Sequence, residues 1–390
     1  MKKNICIVTG TRAEWGLFCP LAREIRKYKN LFNLQIAVTG MHIVPRFGLT
    51  YKEIEKDGFH IDRKVKMLFP GDTPEAIAKS MGRGVAEFAQ VLPQMKPDFV
   101  ILLGDRFETF SAAIAAFIGR IPIFHFYGGE LTEGLIDDAM RHSITKMSVL
   151  HFVATPEYKR RVIQLGESPD RIFVIGALGI DNIKNIRLFS KAELEKKLKF
   201  KFGKKTAIVT FHPVTLEKQT TESQFRNLLK ALDRSDDLNI IFTKPNADTE
   251  GRVISELVDE YVNKNRRRAV SFISMGQKAY LSAMKYADVV IGNSSSGIIE
   301  TPSFKKPTVN IGDRQRGRLR AKSVIDCAPS ENQILAAIKK ATSRKFINIC
   351  RNVRNPYGDG NAAVRAVSII KNQIGRINGV KKAFYDIKNG

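Results

Sequence analysis

A repeated alternation of apolar runs with longer amphipathic or alanine-rich segments constrains this chain more than any other feature. Each apolar run is rich in Val, Ile, Leu and Phe. Such runs, each followed by a helix, are typical of parallel strands that are covered on both faces. The sequence therefore predicts an α/β fold built from doubly wound parallel sheets. Strands are predicted at residues 4–9, 34–38, 99–103, 121–126, 149–154, 172–175, 206–210, 239–243, 269–273, 288–291 and 308–310.

The alternation is interrupted by a lysine-rich connector near residues 191–205 and then restarts. A chain of 390 residues also exceeds what one hydrophobic core usually supports. We therefore predict two Rossmann-like domains, at residues 1–180 and 200–360, and a C-terminal segment, about 361–390, whose helix packs back on the first domain. Ligands of such sheets bind beyond the carboxyl ends of the strands, so the active site is expected in the interdomain cleft.

The formal net charge of +25, from 64 Lys and Arg against 39 Asp and Glu, favours an anionic partner. One Trp and no interleaving of aromatic and basic residues argue against nucleic acid. No apolar run reaches the roughly 20 residues that a membrane span needs. A phosphorylated small molecule is therefore the expected partner. Four scattered cysteines without CxxC spacing indicate reduced thiols in a cytoplasmic protein that has no zinc site.

Seven polar motifs each follow a predicted strand, at the edge where α/β sheets bind ligands. The first precedes an amphipathic helix predicted at residues 17–29 and lacks the GxGxxG spacing of a dinucleotide site, so no cofactor is expected. Seven motifs in phase indicate one composite site rather than unrelated turns. They are GTRAE (10–14), GDR (104–106), YGGE (127–130), FHP (211–213), PNAD (245–248), GNSSSG (292–297) and GDRQ (312–315).

Two groups of these residues suggest specific chemistry. The small residues of GNSSSG stand where a helix is predicted to start, which is typical of a diphosphate site and also of an ordinary N-cap. Asp105 and Glu130 close adjacent predicted strands, while Asp137 and Asp138 open a helix. Neighbouring carboxylates suit acid–base chemistry. The adjacent aspartates could instead be helix-terminal charges, and Asp105 could form a structural ion pair with Arg106.

Together the motifs resemble those of the hydrolysing UDP-N-acetylglucosamine 2-epimerases. The resemblance adds TGMH (39–42) and DDAMRHSITK (137–146), and it runs in order from residue 8 to about 325. GTRAE and GGE stand where non-hydrolysing relatives have GTRPE and EAG. The resemblance implies a glycosyltransferase-B fold with the nucleotide on the second domain, and catalytic roles for Asp105, Glu130, Asp137 and Asp138. It implies substrate binding by Arg12, Arg106, Arg141, His142, His212, Asn246, Ser295, Ser296, Gly297, Glu300 and Arg314.

The family reaction eliminates UDP to form a 2-acetamidoglucal, then adds water at C1 and a proton on the opposite face of C2. It implies no metal, and a homodimer or homotetramer. The expected substrate is UDP-N-acetylglucosamine, which gives N-acetylmannosamine for sialic acid synthesis. One alternative is UDP-2,4-diacetamido-2,4,6-trideoxyglucose, on the way to legionaminic acid. A more remote alternative is sugar transfer by a UDP-sugar glycosyltransferase.

Overall fold

The computed structural model describes residues 2–71, 73–131, 136–213, 221–245 and 249–387. The chain forms two compact units, one of Met1–Asn182 with Tyr357–Gly390 and one of Ile183–Pro356. Each unit contains one parallel sheet with helices packed on both faces. No helix in the described ranges combines the length and the apolar character that a membrane crossing requires.

Seven strands form the first sheet: β1 (Lys3–Thr9), β2 (Phe32–Val38), β3 (Arg63–Lys64), β4 (Phe99–Leu103), β5 (Ile123–Phe126), β6 (Leu150–Val153) and β7 (Ile172–Val174). All are parallel and lie in the order β3-β2-β1-β4-β5-β6-β7. The helices of this region are α1 (Arg12–Arg26), α2 (Tyr51–Lys56), α3 (Pro74–Met95), α4 (Phe107–Ile118), α5 (Ile136–Met147), α6 (Pro156–Gln164) and α7 (Leu178–Asn185).

Six strands form the second sheet: β8 (Lys205–Thr210), β9 (Leu238–Thr243), β10 (Ala269–Phe272), β11 (Val289–Gly292), β12 (Thr308–Ile311) and β13 (Val324–Cys327). They are also parallel, in the order β10-β9-β8-β11-β12-β13. The remaining helices are α8 (Lys191–Leu198), α9 (Thr221–Asp233), α10 (Thr249–Lys264), α11 (Gln277–Tyr286), α12 (Ser295–Ile299), α13 (Glu331–Ala341), α14 (Arg344–Arg351) and α15 (Ala362–Gln373).

The strand order of each sheet reverses next to its first strand, between β1 and β4 and between β8 and β11. Such a reversal opens a crevice at the carboxyl ends of the two strands, where ligands of doubly wound sheets bind. GTRAE and GDR follow β1 and β4, while FHP and GNSSSG follow β8 and β11. Four of the seven polar motifs therefore stand at these two reversal points.

Both faces of each sheet are buried, which explains the continuous apolar runs. In β1, Ile5 packs with the residues of α1 and α15, while Cys6 packs on the other face with α3 and α4. In β8, Val209 packs with α9 and α13, and Ile208 packs with α8 and α11. Successive residues of a strand point to opposite faces, so a strand with no exposed face needs apolar residues throughout.

The last helix belongs to the first unit although it follows the second unit in sequence. α15 packs against α1, and the buried Asp181 accepts the backbone N–H groups of Ala362 and Ala363 at 2.9 and 2.7 Å. The helix spans Ala362–Gln373, within the predicted segment of 361–390. Residues 375–387, which we call the C-terminal arm, contain neither helix nor strand.

The predicted fold class is confirmed, and the bounds differ where local chemistry overrides hydrophobic pattern. α1 begins at Arg12 rather than at residue 17, because Thr11 and Glu14 form a capping box around its first turn. β3 was not predicted, since two exposed charged residues make no apolar run. β13 was not predicted either, because its sequence VIDC is only partly apolar and includes the exposed Asp326.

Candidate functional site

One arginine brings together the candidate acids of the first unit. Arg141, on α5, has a side chain only 4% exposed. Its Nη1 donates to the backbone carbonyl of Glu130 at 2.6 Å, and its Nη2 forms an ion pair with Asp105. Asp105 and Glu130 follow β4 and β5, which are neighbours in the sheet. A buried guanidinium with donors fixed in a plane therefore holds both loops in place.

The adjacent aspartates both lie in the first turn of α5 but have different surroundings. Asp138 lies 3.3 Å from Arg141 Nη1 and 3.3 Å from His142 Nε2. Burial raises the pKa of Asp137, although its own backbone amide and Arg106 act in the opposite direction. A carboxyl group with a raised pKa keeps its proton to a higher pH, which suits a general acid.

The alternative in which Asp105 forms an ion pair with Arg106 is wrong, because each of the two side chains has another partner. Arg106 donates instead to both carboxylate oxygens of Glu108, from Nε at 3.1 Å and from Nη2 at 2.9 Å. Burial would lower the pKa of Arg106, but Glu108, Glu14 and Asp137 outweigh burial and raise it. Arg106 is therefore a permanent cation whose direction is set by a fully buried carboxylate.

Glu14 and Glu108 are buried acids that sequence reasoning did not place among the functional residues. Glu14 accepts the backbone N–H groups of Gly10 and Thr11 at 2.6 and 3.1 Å, which fixes the turn after β1. Burial, and then the charge of Glu108, raise the pKa of Glu14 to about 7. The sequence does indicate a role for Glu14, because a threonine followed three residues later by a glutamate is the pattern of a capping box.

The turn that carries Glu130 depends on glycine. Tyr127 has a left-handed φ of 66° and Gly129 has one of 77°. A Cβ on Gly129 would lie 2.3 Å from the backbone oxygen of Tyr158, so no other residue fits there without moving the backbone. The strained turn brings Glu130, which is only 4% exposed, to its contact with Arg141.

In the second unit, one asparagine links the loops that follow three strands. The side chain of the fully buried Asn293 accepts from His212 N at 2.7 Å and donates to His212 O at 2.8 Å. Its backbone carbonyl accepts from Arg314 Nη1 at 3.1 Å and from Gln315 Nε2 at 2.9 Å. His212, Asn293 and Arg314 follow β8, β11 and β12, so Asn293 joins the backbone of His212 to the side chain of Arg314. Asn293 belongs to the motif GNSSSG, but the sequence pattern alone predicts no role for it.

Both glycines of GNSSSG lie so close to neighbouring atoms that a side chain would not fit. Gly292 has a φ of 133°, and a Cβ there would lie 1.8 Å from the backbone oxygen of Thr210. A Cβ on Gly297 would lie 2.9 Å from Thr308 Cγ2, and Thr308 Oγ1 donates to the Gly297 carbonyl at 2.7 Å. Gly297 thus allows α12 to pack closely on β12, which places it in the structure as a packing residue.

The serines of the loop lie at the start of the short helix α12. Ser295 is the first residue of α12, and Ser294 is its N-cap, accepting from Ser296 N at 3.4 Å. The Ser296 hydroxyl also bonds the hydroxyl of Tyr280. Glu300 is the C-cap residue of the helix, and burial raises its pKa to about 7. Burial, and then the charge of Glu300, raise the pKa of Tyr280 to about 12, so the phenol remains a hydrogen-bond donor.

The charged candidates around these loops differ in their protonation. Burial, and then the charge of Arg314, lower the pKa of His212 to about 4, so the imidazole is neutral at pH 7 with one N–H donor. Arg314 is exposed and donates to the Asn293 carbonyl, and its guanidinium is cationic at pH 7. Arg12, in the first unit, is the first residue of α1, with a side chain 52% exposed and 3.8 Å from Glu53.

Asn246 lies outside the described residues. Across the ranges that the structure describes, no group of three or more His, Cys, Asp or Glu side chains could hold a metal ion. Acid–base chemistry in the first unit and anion binding in the second are what the arrangement supports.

Comparison with known proteins identifies relatives of the whole chain. The model of a family described as UDP-N-acetylglucosamine 2-epimerase matches residues 23–371. A Campylobacter jejuni protein named GDP/UDP-N,N'-diacetylbacillosamine 2-epimerase (hydrolyzing) is 47% identical, covering 88% of this chain and 89% of that protein. The polysialic acid biosynthesis protein P7 of Escherichia coli is 42% identical, covering 99% of this chain and 98% of that protein.

The fold also matches solved structures. The crystal structure of UDP-GlcNAc 2-epimerase from Neisseria meningitidis bound to UDP-GlcNAc superposes with a TM-score of 0.83 at 19% identity. The match covers 95% of this chain and all of that one. At that identity the likeness establishes a glycosyltransferase-B type fold of two Rossmann-like domains.

Proposed function

Because this chain belongs to the hydrolysing UDP-N-acetylglucosamine 2-epimerase family, we propose that it removes UDP from a UDP-2-acetamido sugar and releases the free sugar epimerised at C2. The arrangement around Arg141 supports this most directly. It gathers Asp105, Asp138 and the Glu130 loop at the ends of two neighbouring strands. Epimerisation needs one group that takes a proton and another that returns one, and this cluster supplies several carboxyl groups in different surroundings.

In the proposed reaction the C1–O bond breaks first or together with loss of the C2 proton. The leaving diphosphate takes the C1–O electron pair, and the C2–H pair forms the C1=C2 bond of a 2-acetamidoglucal. A carboxylate takes the C2 proton, for which Asp105 is the candidate because Arg141 fixes its direction. The electron pair of the C1=C2 bond then takes a proton on the other face of C2, and Asp137 is the candidate acid because its raised pKa favours the protonated form. Water adds at C1 and gives its surplus proton to a carboxylate of the cluster.

The second unit supplies the proposed diphosphate site. Ser295, Ser296 and the backbone around them offer donors for phosphate oxygens, and Arg314 adds a charge that binds the departing UDP more strongly than the intact sugar nucleotide. A neutral His212 donates without competing for the proton. Glu300, also in this unit, is the candidate acceptor for the ribose hydroxyls.

UDP-N-acetylglucosamine is the first candidate substrate, since the family model carries that description and the polysialic acid protein covers nearly the whole chain. UDP-2,4-diacetamido-2,4,6-trideoxyglucose is the second, because the Campylobacter relative of higher identity is named for diacetylbacillosamine. A cytoplasmic reaction without metal, nucleic-acid or membrane partner, carried out by a homodimer or homotetramer, belongs to the same proposal.

The test is to incubate the purified protein with each sugar nucleotide in deuterated water and to follow UDP and the C2 signal by NMR. We expect stoichiometric UDP and a free 2-epimerised sugar that carries deuterium at C2. The preferred substrate is the one with the higher kcat/KM. Epimerisation without UDP release, or no turnover of either substrate, would overturn the proposal.

A further inference from the structure

The C-terminal arm lies against the end of the helix that carries the candidate catalytic residues. Lys382 Nζ donates to the backbone carbonyl of Ser148 at 2.7 Å and lies 3.4 Å from that of Thr145. These carbonyls stand at the C-terminal end of α5, where the last peptide oxygens of a helix lack partners within the helix. A cation at this end also complements the helix dipole.

Lys382 is held in this place by a buried carboxylate. Glu167, whose side chain is only 1% exposed, accepts from Lys382 Nζ at 2.6 Å, from Lys146 Nζ at 2.7 Å and from His151 Nε2 at 3.0 Å. Burial alone would raise the pKa of Glu167, but the bonds from His151, Lys146 and Lys382 outweigh it and lower the pKa to about 2. Lys146 belongs to α5, so Glu167 links the arm to the helix in addition to the direct contacts of Lys382.

The arm is also fixed beyond its lysine. Tyr385 N donates to the Gly166 carbonyl at 2.9 Å, and Lys146 Nζ lies 5.0 Å from the centre of the Phe384 ring. Gly166 has a φ of 79°, and a Cβ there would lie 2.2 Å from Phe384. Close packing of an otherwise exposed aromatic residue against a glycine shows that this segment follows a defined path.

A buried histidine connects the same end of α5 to the loop of Asp105. His125 Nε2 donates to the Gly104 carbonyl at 2.8 Å, so its Nδ1 must accept from the Thr145 hydroxyl at 3.1 Å. Burial lowers the pKa of His125 to about 3, so the imidazole is neutral at pH 7. Thr145 therefore contacts Lys382 through its carbonyl and the Asp105 loop through its side chain.

We propose that the C-terminal arm is a positioning element for catalysis, with Lys382 fixing the end of α5 and, through it, Asp138, Arg141 and the loop of Asp105. The proposal rests on the proposed function for its kinetic consequence. Lys382 contacts no reacting group, so it acts only by holding α5 in register with β4 and β5. A displacement of about 1 Å in a catalytic group can reduce the rate roughly 100-fold.

The experiment compares Lys382→Met with Lys381→Met in the full chain. Lys381 is the exposed neighbour on the arm, so its substitution changes the charge equally without touching α5. We expect Lys382→Met to lower kcat roughly 10- to 100-fold with the Kd for UDP unchanged, and Lys381→Met to leave both unchanged. Lys382→Arg can still donate to a carbonyl and a carboxylate, so it should restore most of kcat. A variant whose only defect is disturbed packing would not regain kcat in this way.

Hydrogen exchange of the α5 amides provides a readout that needs no activity. Faster exchange in α5 of Lys382→Met, but not of Lys381→Met, is expected. Equal kcat and equal exchange in the two variants would overturn the positioning role while leaving the proposed function intact. If the wild-type protein turns over neither substrate, the proposed function fails. Hydrogen exchange of the α5 amides then tests by itself whether the arm holds α5. Should Lys382→Met not fold, Lys382→Met combined with Glu167→Gln, which leaves no buried carboxylate without its lysine, repeats the comparison in the full chain.

Discussion

The first unit builds its candidate site from long charged side chains that hold one another, whereas the second builds its site from backbone and small residues. Around β4 and β5, Arg141 and Arg106 are each oriented by carboxylates. Around β11, Gly292 and the amide of Asn293 fix the geometry instead. Proton transfer requires groups whose charge is set by their neighbours, while anion binding requires donors in fixed positions. The same strand-end position is thus used in two chemically different ways.

From this difference we expect that substitutions in the first unit lower kcat and leave UDP binding unchanged, whereas substitutions in the second mainly weaken UDP binding and lower kcat less. Asp105→Asn should lower kcat about 100- to 10,000-fold, because it removes a proton acceptor while keeping the shape. The Kd for UDP, measured by calorimetry, should not change. Asp170→Asn, an exposed substitution in the same unit, is the control with wild-type activity. A loss of less than about tenfold for Asp105→Asn would mean that another carboxylate takes the proton.

A methyl group should break the second site without changing any charge. In Gly292→Ala the new Cβ meets the Thr210 carbonyl at 1.8 Å, so the β11 turn must move. We expect a loss of roughly 1–3 kcal/mol in the free energy of unfolding and weaker UDP binding. Thermal melts with and without UDP measure both. Gly82→Ala, on α3 with no atom within 4 Å, should instead be neutral or slightly stabilising. Full UDP affinity in Gly292→Ala would contradict a backbone-built site.

Charge geometry should matter less in the second site than in the first. Arg314→Lys keeps the charge but loses the fixed direction that its bond to the Asn293 carbonyl provides. The Kd for UDP should rise roughly tenfold, which corresponds to about 1.4 kcal/mol. Arg316→Lys, at an exposed position of the same loop, should leave the Kd unchanged. If Arg314→Lys also lowered kcat 1,000-fold, the division between the two units would not hold.

The smallest expected effect concerns the pH dependence of stability. The pKa of Glu14 is about 7 in the folded protein against an ordinary value of 4.5, so the folded state binds more protons than the unfolded state between these two pH values. The free energy of unfolding contributed by Glu14 is therefore highest below about pH 4.5 and falls as the pH rises to about 7. Glu14→Gln should flatten this fall, as measured by melting temperatures between pH 5 and pH 8. Glu193→Gln, at an exposed helix start, should not reduce it, because the pKa of Glu193 is lowered rather than raised. An unchanged slope in Glu14→Gln would assign the titration elsewhere, with Glu300 as the next candidate.

Much of the fold was predictable because its signals are local. The strands of a sheet buried on both faces are apolar throughout, so β4 was predicted with its observed bounds. The start of α1 was missed because the hydrophobic pattern was weighed above the capping box of Thr11 and Glu14. β3 gives no pattern at all, since its two residues are charged and exposed.

The candidate site shows the same limit at the level of side chains. Position after a strand identified Asp105 and Glu130, but the pairing of Asp105 with Arg141 spans 36 residues and has no local signature. The partner of Arg106 is Glu108, two residues away inside α4, and nothing in the spacing distinguishes it from an ordinary helix residue. Asp105 and Arg106 are adjacent in sequence, yet their partners come from different helices. Which cation orients which acid is decided by tertiary packing.

The position of α15 and the arm has a consequence for how the protein is made. A ribosome completes residues 183–356 before it reaches the segment from Tyr357 onward that belongs to the first unit. Until then, the face of α1 that α15 covers remains open, and the end of α5 lacks Lys382. The nascent first half therefore exposes an apolar helix surface for the time needed to translate the entire second unit, and transiently exposed apolar surface of this kind favours aggregation. Synthesis order thus makes the contact of Lys382 with the end of α5 one of the last to form.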